Sequence, residues 1–170
     1  TLQWLDWILQ QHPADVVTLS QVGYVLLQLG DVEGASRCFM LAEALVAEFP
    51  SQKHIIHRNR GLLRFAQKDY EGAQADFAAA LEHNPSDVTS INNTALCLMY
   101  QRDLMGATRY LEETLQSDPA KYMDETLVLN LCSMYDLASG TVSGTESKRK
   151  LSSWISKIAP DDFDLNCTRL

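Results

Sequence analysis

The stretch that decides the fold runs from Gly61 to Pro85 and reads GLLRFAQKDYEGAQADFAAALEHNP. When it is shifted by 34 residues, it falls on a later stretch with small and large apolar residues at the same places. The aligned pairs are Gly61 with Ala95, Ala73 with Ala107, Phe77 with Leu111, and Asn84-Pro85 with Asp118-Pro119. A period of about 34 residues is typical of stacked helix–turn–helix units.

An earlier copy of the same pattern precedes this stretch at an offset of 38 residues. Its aligned pairs are Gly23 with Gly61, Ala35 with Ala73, Phe39 with Phe77, and Ala42 with Ala80. The first copy therefore carries about four extra residues near Val46 to Gln52, where its second helix is predicted to run on before Pro50. Three copies in register predict a stack of helix pairs.

The three copies resemble the tetratricopeptide repeat, whose motif has a small eighth residue, Ala twentieth, a large apolar residue twenty-fourth, Ala twenty-seventh and Pro thirty-second. The matches are Gly23, Ala35, Phe39 and Ala42; then Gly61, Ala73, Phe77, Ala80 and Pro85; then Ala95, Ala107, Leu111 and Pro119. Thr114 departs from the expected Ala. Small residues let two helices approach closely while Phe or Leu fills the space beside them. The resemblance implies an all-α fold, a right-handed helical solenoid.

The pattern divides the chain into six predicted segments. They are the second helix of an incomplete preceding repeat (1–13), a repeat with a lengthened second helix (14–52), two further repeats (53–86 and 87–120), a divergent terminal helix pair (121–160) and a C-terminal tail (161–170). Apolar spacing predicts helices over Leu2–Gln11, Tyr122–Leu137 and Lys148–Ile158, with a loop at 139–147.

The tail offers Phe163, Leu165 and Cys167 at every second position, followed by Leu170. In an extended segment the first three side chains point to one side, so they would cover the apolar end of the last helix. A frayed terminus is the alternative.

The composition and charge of the chain indicate which classes of partner and compartment to expect. The chain is 46% apolar, which predicts a packed core, and its formal net charge of −8 disfavours nucleic acid and anionic membranes as partners. Apolar runs of a handful of residues predict no membrane insertion, and no signal peptide is visible. The spacing of Cys38, Cys97, Cys132 and Cys167 does not suit zinc, so we expect reduced thiols in the cytoplasm.

No motif predicts catalysis, a cofactor, a metal site or a small-molecule substrate. His54 and His57 would share a helical face, but no further ligand lies nearby in the sequence, and ordinary surface histidines explain them better. The sequence has no Gly-rich phosphate loop and no nucleophile motif. We therefore expect a protein that is not an enzyme.

The resemblance implies that the inner face of the solenoid binds partners. The positions that line it are Val17, Tyr24, Leu27, Ile55, Arg58, Leu62, Phe65, Asn92, Leu96, Met99 and Tyr100. The places of the Lys and Asn clamp used by chaperone-binding relatives hold Ser20, Tyr24, Thr89 and Asn93, so that clamp is missing. A groove rich in Leu, Phe, Tyr and Met favours an apolar helix or an extended peptide. Packing of the same side chains against the next repeat is the alternative.

A basic stretch lies between acidic flanks. Its members are Lys53, Arg58, Arg60, Arg64 and Lys68, and no acidic residue occurs from Phe49 to Gln67. One interpretation is a docking patch for an acidic partner segment. The other is that this helix neutralises acidic neighbours within the stack.

A second resemblance is carried by the later part of the chain. It rests on NNTALCLMY (92–100), ETLVLNLCSMY (125–135) and DFDLNCTRL (162–170). These stretches are similar to the carboxy-terminal end of a family of subunits of the TRAPP vesicle-tethering complex. That resemblance implies a non-enzymatic assembly subunit that contacts other protein subunits in endoplasmic reticulum-to-Golgi traffic and autophagy, in the cytoplasm beside early secretory membranes. The alternative is a generic repeat adaptor or co-chaperone-like module.

Overall fold

The computed structural model describes residues 1–46, 50–138 and 143–168. Over those ranges the chain is built of helices and contains no strand. The α-helices are α1 (Leu2–Gln11), α2 (Val16–Gln28), α3 (Val32–Val46), α4 (Lys53–Ala66), α5 (Tyr70–His83), α6 (Val88–Tyr100), α7 (Leu104–Ser117), α8 (Pro119–Tyr122), α9 (Glu125–Ala138) and α10 (Ser143–Ile158). Short 3-10 helices cover Pro50–Gln52 and Leu165–Thr168. No α-helix in the described ranges has the length and apolar character that a membrane span requires.

Two compact units divide the chain, Thr1–Ser90 and Ile91–Leu170. In the first unit, α2, α3 and α4 bury a cluster formed by Val16, Leu19, Ala42, Val46, Ile55 and Ile56, with Leu9 of α1 and Leu45 of α3 against it. The predicted first helix is confirmed with the bounds Leu2–Gln11, and its apolar side buries Leu5. This cluster therefore joins four successive helices, α1 to α4.

The small-to-large contact that the repeat pattern predicts is present in both helix pairs of the first unit. A Cβ atom added at Gly23 would lie 2.3 Å from the ring of Phe39, and one at Gly61 would lie 2.6 Å from the ring of Phe77. Only a residue without a side chain fits at these two positions. The helix backbones approach closely because the glycines leave room for the rings.

The second helices of three pairs, α3, α5 and α7, start with the same capping interaction. The backbone N–H groups of Gly34, Gly72 and Gly106 donate to Oδ1 of Asp31, Asp69 and Asp103 at 2.8, 3.0 and 2.8 Å. A Cβ on any of these glycines would lie within about 2.2 Å of the capping carboxylate. The aspartate satisfies an N–H group that has no partner within the helix, and glycine leaves space for it.

The extra residues of the first repeat lie only partly in the described ranges. Helix α3 is described as far as Val46, and the next described element is the 3-10 helix at Pro50–Gln52. The prediction that α3 continues before Pro50 falls on residues 47–49, which lie outside the described residues.

The second unit differs from the sequence prediction at two helix starts. Helix α9 begins at Glu125, after the separate short helix α8, because Asp124 Oδ1 accepts hydrogen bonds from the N–H groups of Thr126 and Leu127 at 2.8 and 3.3 Å. A single helix from Tyr122 to Leu137 was therefore wrong at its start. Within α9, four fully buried residues supply the core: Leu127, Val128, Leu131 and Met134.

The predicted loop at 139–147 is wrong over its second half, because α10 already begins at Ser143. Residues 139–142 lie outside the described residues. A carboxylate near a helix start is favourable, and Glu146 occupies the first turn and pairs with Lys150 at 2.8 Å. The helix starts five residues ahead of the predicted start at Lys148.

The tail packs against α9 and α10, but not as an extended segment. Phe163 is 9% exposed and Thr168 is buried, whereas Leu165 is 49% exposed. The expectation that Phe163, Leu165 and Cys167 face one side was wrong, because a 3-10 helix brings side chains together at every third residue rather than every second. Leu170 lies outside the described residues.

Candidate partner-binding surfaces

The first unit has a concavity between α2, α4 and the start of α6. Its volume is about 240 Å³, and it is lined by Ser20, Gln21, Tyr24, Arg58, Asn59, Leu62 and Thr89. Three residues of the predicted inner face, Tyr24, Arg58 and Leu62, therefore meet at one place. Most of the other lining side chains are polar, so the lining is mixed rather than purely apolar.

A buried hydrogen-bond chain forms the floor of this concavity. Asn59 Nδ2 donates to Ser20 Oγ at 2.8 Å, and that hydroxyl donates to the carbonyl oxygen of Val16 at 2.8 Å. Because Asn59 and Ser20 are both buried, their polar groups need these partners. These two hydrogen bonds link α2 to α4 and hold the side chains of Ser20 and Asn59 in place at the bottom of the concavity.

The other inner-face residues of this unit differ in accessibility. Val17 and Tyr24 are exposed, Tyr24 by 43%, and Leu27 is half-buried. Ile55 and Leu62 are only 4% and 8% exposed, so their side chains belong mainly to the core. Phe65 is half-buried and packs edge-to-face on Tyr70, with ring centroids 5.3 Å apart.

Four predicted inner-face residues lie on α6 within the second unit. Asn92, Leu96 and Met99 are half-buried, and Tyr100 is exposed. Asn92 Oδ1 accepts a hydrogen bond from Asn130 Nδ2 at 2.6 Å, so this amide already serves the contact between α6 and α9. Tyr100 is therefore the most accessible of these four side chains.

The basic residues of α4 are largely engaged within the first unit. Arg58 pairs with buried Asp87 at 3.1 Å, Arg60 pairs with Glu43, and Arg64 pairs with Asp76 at 2.9 Å. Such pairs match the interpretation in which α4 neutralises its acidic neighbours. The remaining members of the stretch, Lys53 and Lys68, are exposed.

The second unit has a concavity of about 280 Å³ between α7, α9 and α10. It is lined by Glu112, Leu115, Gln116, Tyr135, Ser147, Lys150, Leu151 and Trp154. Tyr135 donates its hydroxyl proton to Glu112 Oε1 at 2.5 Å. Burial, followed by the neighbouring Glu112 carboxylate, raises the pKa of Tyr135, so this hydroxyl stays a hydrogen-bond donor across the ordinary pH range. Sequence reasoning missed this concavity because it lies off the predicted inner face.

Within the described ranges, the candidate metal ligands and the cysteines form no metal-binding cluster and no disulfide. Over the described ranges, no three His, Cys, Asp or Glu side chains are placed to hold a metal ion. The four cysteines carry free thiols. Burial raises the pKa of Cys132, and it raises the pKa of Cys167 to about 11, so both thiols are poor nucleophiles near neutral pH.

Comparison with known proteins identifies the repeat and two relatives. Residues 54–87 match the family model described as "Tetratricopeptide repeat", one residue later than the predicted repeat at 53–86. "Trafficking protein particle complex subunit 12" of Mus musculus is 30% identical over 154 residues, and that of Homo sapiens is 29% identical over 154 residues. Each alignment covers 89% of this chain, but the chain spans only 19% and 21% of those relatives' lengths.

A solved structure described as "MamA RS-1 ArsTM double mutant" has a similar fold. Its TM-score is 0.55, and the match covers 94% of this chain and 86% of that chain at 18% identity. At this identity the likeness shows the fold alone, and it agrees with the predicted all-α solenoid. The chain contains a tetratricopeptide repeat at residues 54–87, and over most of its length its sequence resembles subunit 12 of the trafficking protein particle complex.

Proposed function

We propose that this chain is a non-enzymatic scaffold region that assembles with other subunits of a trafficking protein particle complex. The observation that carries the proposal is the similarity to subunit 12 of that complex along 89% of the chain. Helical repeats contact mainly their neighbours and present long surfaces, which suits assembly. By the same reasoning, the protein acts in vesicle tethering between endoplasmic reticulum and Golgi and in autophagy, at the cytoplasmic side of early secretory membranes.

The inner-face residues are part of the proposal. Tyr24 and Tyr100 offer exposed rings, and Arg58 and Leu62 line the 240 Å³ concavity of the first unit. Aromatic side chains of this kind contribute strongly to protein interfaces. We infer that partner subunits contact these side chains, whereas Ile55 supports them from the core.

A repeat adaptor that captures short peptides is the second candidate. The same concavity favours it, because the side-chain amide of Gln21 and the hydroxyls of Tyr24 and Thr89 line a volume that accommodates a few side chains. Such an adaptor would bind its ligand as a monomer.

The experiment that separates the candidates is affinity purification of the tagged full-length protein, followed by mass spectrometry and size-exclusion chromatography. Co-elution in a large assembly that contains other trafficking protein particle subunits supports the scaffold. Recovery as a monomer without those subunits, and with short-peptide ligands, would refute the scaffold and favour the adaptor. A Met40→Ala variant, altered at an exposed site outside the predicted inner face, is the matched control for Tyr24→Ala.

A further inference from the structure

The exposed side of α10 carries a cationic surface, separate from the basic stretch of α4; Lys150 and Trp154 also line the 280 Å³ concavity described above. An open concavity of about 380 Å³ lies along this helix, lined by Glu146, Arg149, Lys150, Ser153, Trp154 and Lys157. Arg149, Lys150 and Lys157 are exposed, and Trp154 is half-buried. We call these six residues the α10 concavity.

The charges of the α10 concavity are only partly compensated. Lys150 pairs with Glu146 at 2.8 Å, and the neighbouring Lys148 is buried and pairs with Asp136 at 2.5 Å. Among the residues that the structure describes, neither Arg149 nor Lys157 forms an ion pair. The three arginines of α4, by contrast, all pair with carboxylates of their own unit. Both cations are exposed on one helix, although the chain as a whole carries a net charge of −8.

The spacing of the residues sets the geometry of a ligand. Arg149, Ser153 and Lys157 follow one another at intervals of four, so they lie along one stripe of the helix. Eight residues at about 1.5 Å each separate the two cations by roughly 12 Å along the axis. Trp154 lies beside the middle of this stripe, next to Ser153.

An extended peptide matches this spacing. Its side chains at alternate positions share one side, and residues four apart are about 13 Å from each other. Two carboxylates four residues apart would therefore reach Arg149 and Lys157 together. The side chain midway between them would lie over Ser153 and the indole of Trp154, where an aromatic or long apolar group finds a favourable contact.

The geometry points to the α10 concavity as a docking site for an extended acidic segment of a partner protein, with two carboxylates four residues apart and an aromatic side chain midway. A protein segment fits better than an anionic membrane. Segments that bind membranes through charge carry clusters of roughly four to eight basic residues, and the uncompensated cations here number two. In addition, Trp154 is half-buried in a concavity and does not protrude as an inserting side chain would. The inference does not depend on the assembly proposed above.

The test uses the whole chain with Trp4→Phe and Trp7→Phe, so that Trp154 is its only tryptophan. Both replaced side chains are exposed, at 71% and 56%, and are outside the second unit. The probe is a nine-residue peptide, Gly-Ser-Glu-Ser-Phe-Ser-Glu-Ser-Gly, titrated at 50 mM salt while Trp154 emission is followed. A second peptide with Gln in place of both Glu residues reports the contribution of the carboxylates.

The proposal expects saturable binding that changes Trp154 emission, weakens at 500 mM salt, and falls at least fivefold with the Gln peptide. The double variant Arg149→Glu/Lys157→Glu is expected to lose tenfold or more in affinity. Its matched control, Arg37→Glu/Arg109→Glu, makes the same change in net charge at exposed sites elsewhere and should bind as the parent does. Circular dichroism establishes that both variants are folded.

Three results would overturn the proposal: equal binding by the two double variants, equal binding of the Glu and Gln peptides, or no binding of either peptide. Sedimentation with vesicles of phosphatidylserine and phosphatidylcholine tests the membrane directly. Vesicle binding that depends on Arg149 and Lys157, without peptide binding, would assign the α10 concavity to a membrane and refute the peptide.

Discussion

Replacement of Gly61 by alanine tests whether the close approach of α4 and α5 is set by the missing side chain. The added Cβ would lie 2.6, 2.8 and 2.9 Å from three ring carbons of Phe77. An ordinary carbon–carbon contact is about 3.5 Å, so the ring or the helix must move by about 0.9 Å. Phe77 is fully buried, and its ring has no open space on the solvent side into which to move.

Two opposing contributions decide the size of the effect. Overpacking a buried contact costs about 1–3 kcal/mol, while Gly to Ala within a helix contributes roughly 1 kcal/mol in the opposite direction. We therefore expect Gly61→Ala to lower the free energy of unfolding by up to about 2 kcal/mol. Gly61→Leu gains similar helix propensity but adds three more carbons to the same space, so it should cost more, about 2–3 kcal/mol or above.

A double-mutant cycle isolates the contact. Phe77→Leu shortens the side chain that meets the new methyl group, so Gly61→Ala should cost less in the Phe77→Leu background, by at least about 1 kcal/mol. Urea unfolding followed by circular dichroism gives the four free energies. Stabilisation by Gly61→Ala in the parent chain, or additive effects in the cycle, would refute the argument from close approach.

The remaining predictions concern a cap, the inner face and the tail. Gly72→Ala should displace the capping carboxylate of α5 and cost about 1 kcal/mol in urea unfolding; an unchanged midpoint would contradict this. Tyr24→Ala should weaken recovery of partner subunits by about 1–2 kcal/mol in quantitative pull-downs while Met40→Ala leaves it unchanged, and equal recovery with both would remove Tyr24 from the interface. Because burial raises the pKa of Cys167 to about 11, its thiol should react with iodoacetamide at pH 8.5 more slowly than a free cysteine, and Phe163→Ala should speed the reaction by releasing the tail; a fast rate in the parent chain would show an undocked tail.

The sequence was informative wherever one residue type had a single physical use. Glycine opposite phenylalanine, repeated at a fixed interval, predicted the contact of Gly61 with Phe77 because few other pairs allow two helices so close together. The tail was less predictable: the alternation of Phe163 and Leu165 suggests an extended segment, but residues Leu165–Thr168 form a 3-10 helix instead. Apolar spacing also could not separate an accessible inner-face residue such as Tyr24 from a core residue such as Ile55.

Charge was the least predictable feature, because a count of basic residues does not reveal which of them have partners. The stretch on α4 has the longest run without an acidic residue, yet Arg58 and Arg64 pair with Asp87 and Asp76, which follow them by 29 and 12 positions in the chain. The sequence does not indicate that Arg149 lacks an ion pair, because Glu146 lies three residues before it and is within reach on the same helix. Pairing depends on which helices become neighbours, and that information is tertiary.

The aspartate caps bear on how the number of repeats in such a chain can change. Each cap joins an aspartate to a glycine three residues later, so the residues that start the second helix all lie within one turn. A duplicated 34-residue segment therefore carries its own start signal, independent of the sequence on either side. Insertions between repeats would leave every such signal intact, whereas a single residue inserted between Asp69 and Gly72 would erase one. The array is modular at the level of its turns, and copy number can change without redesign of the helices.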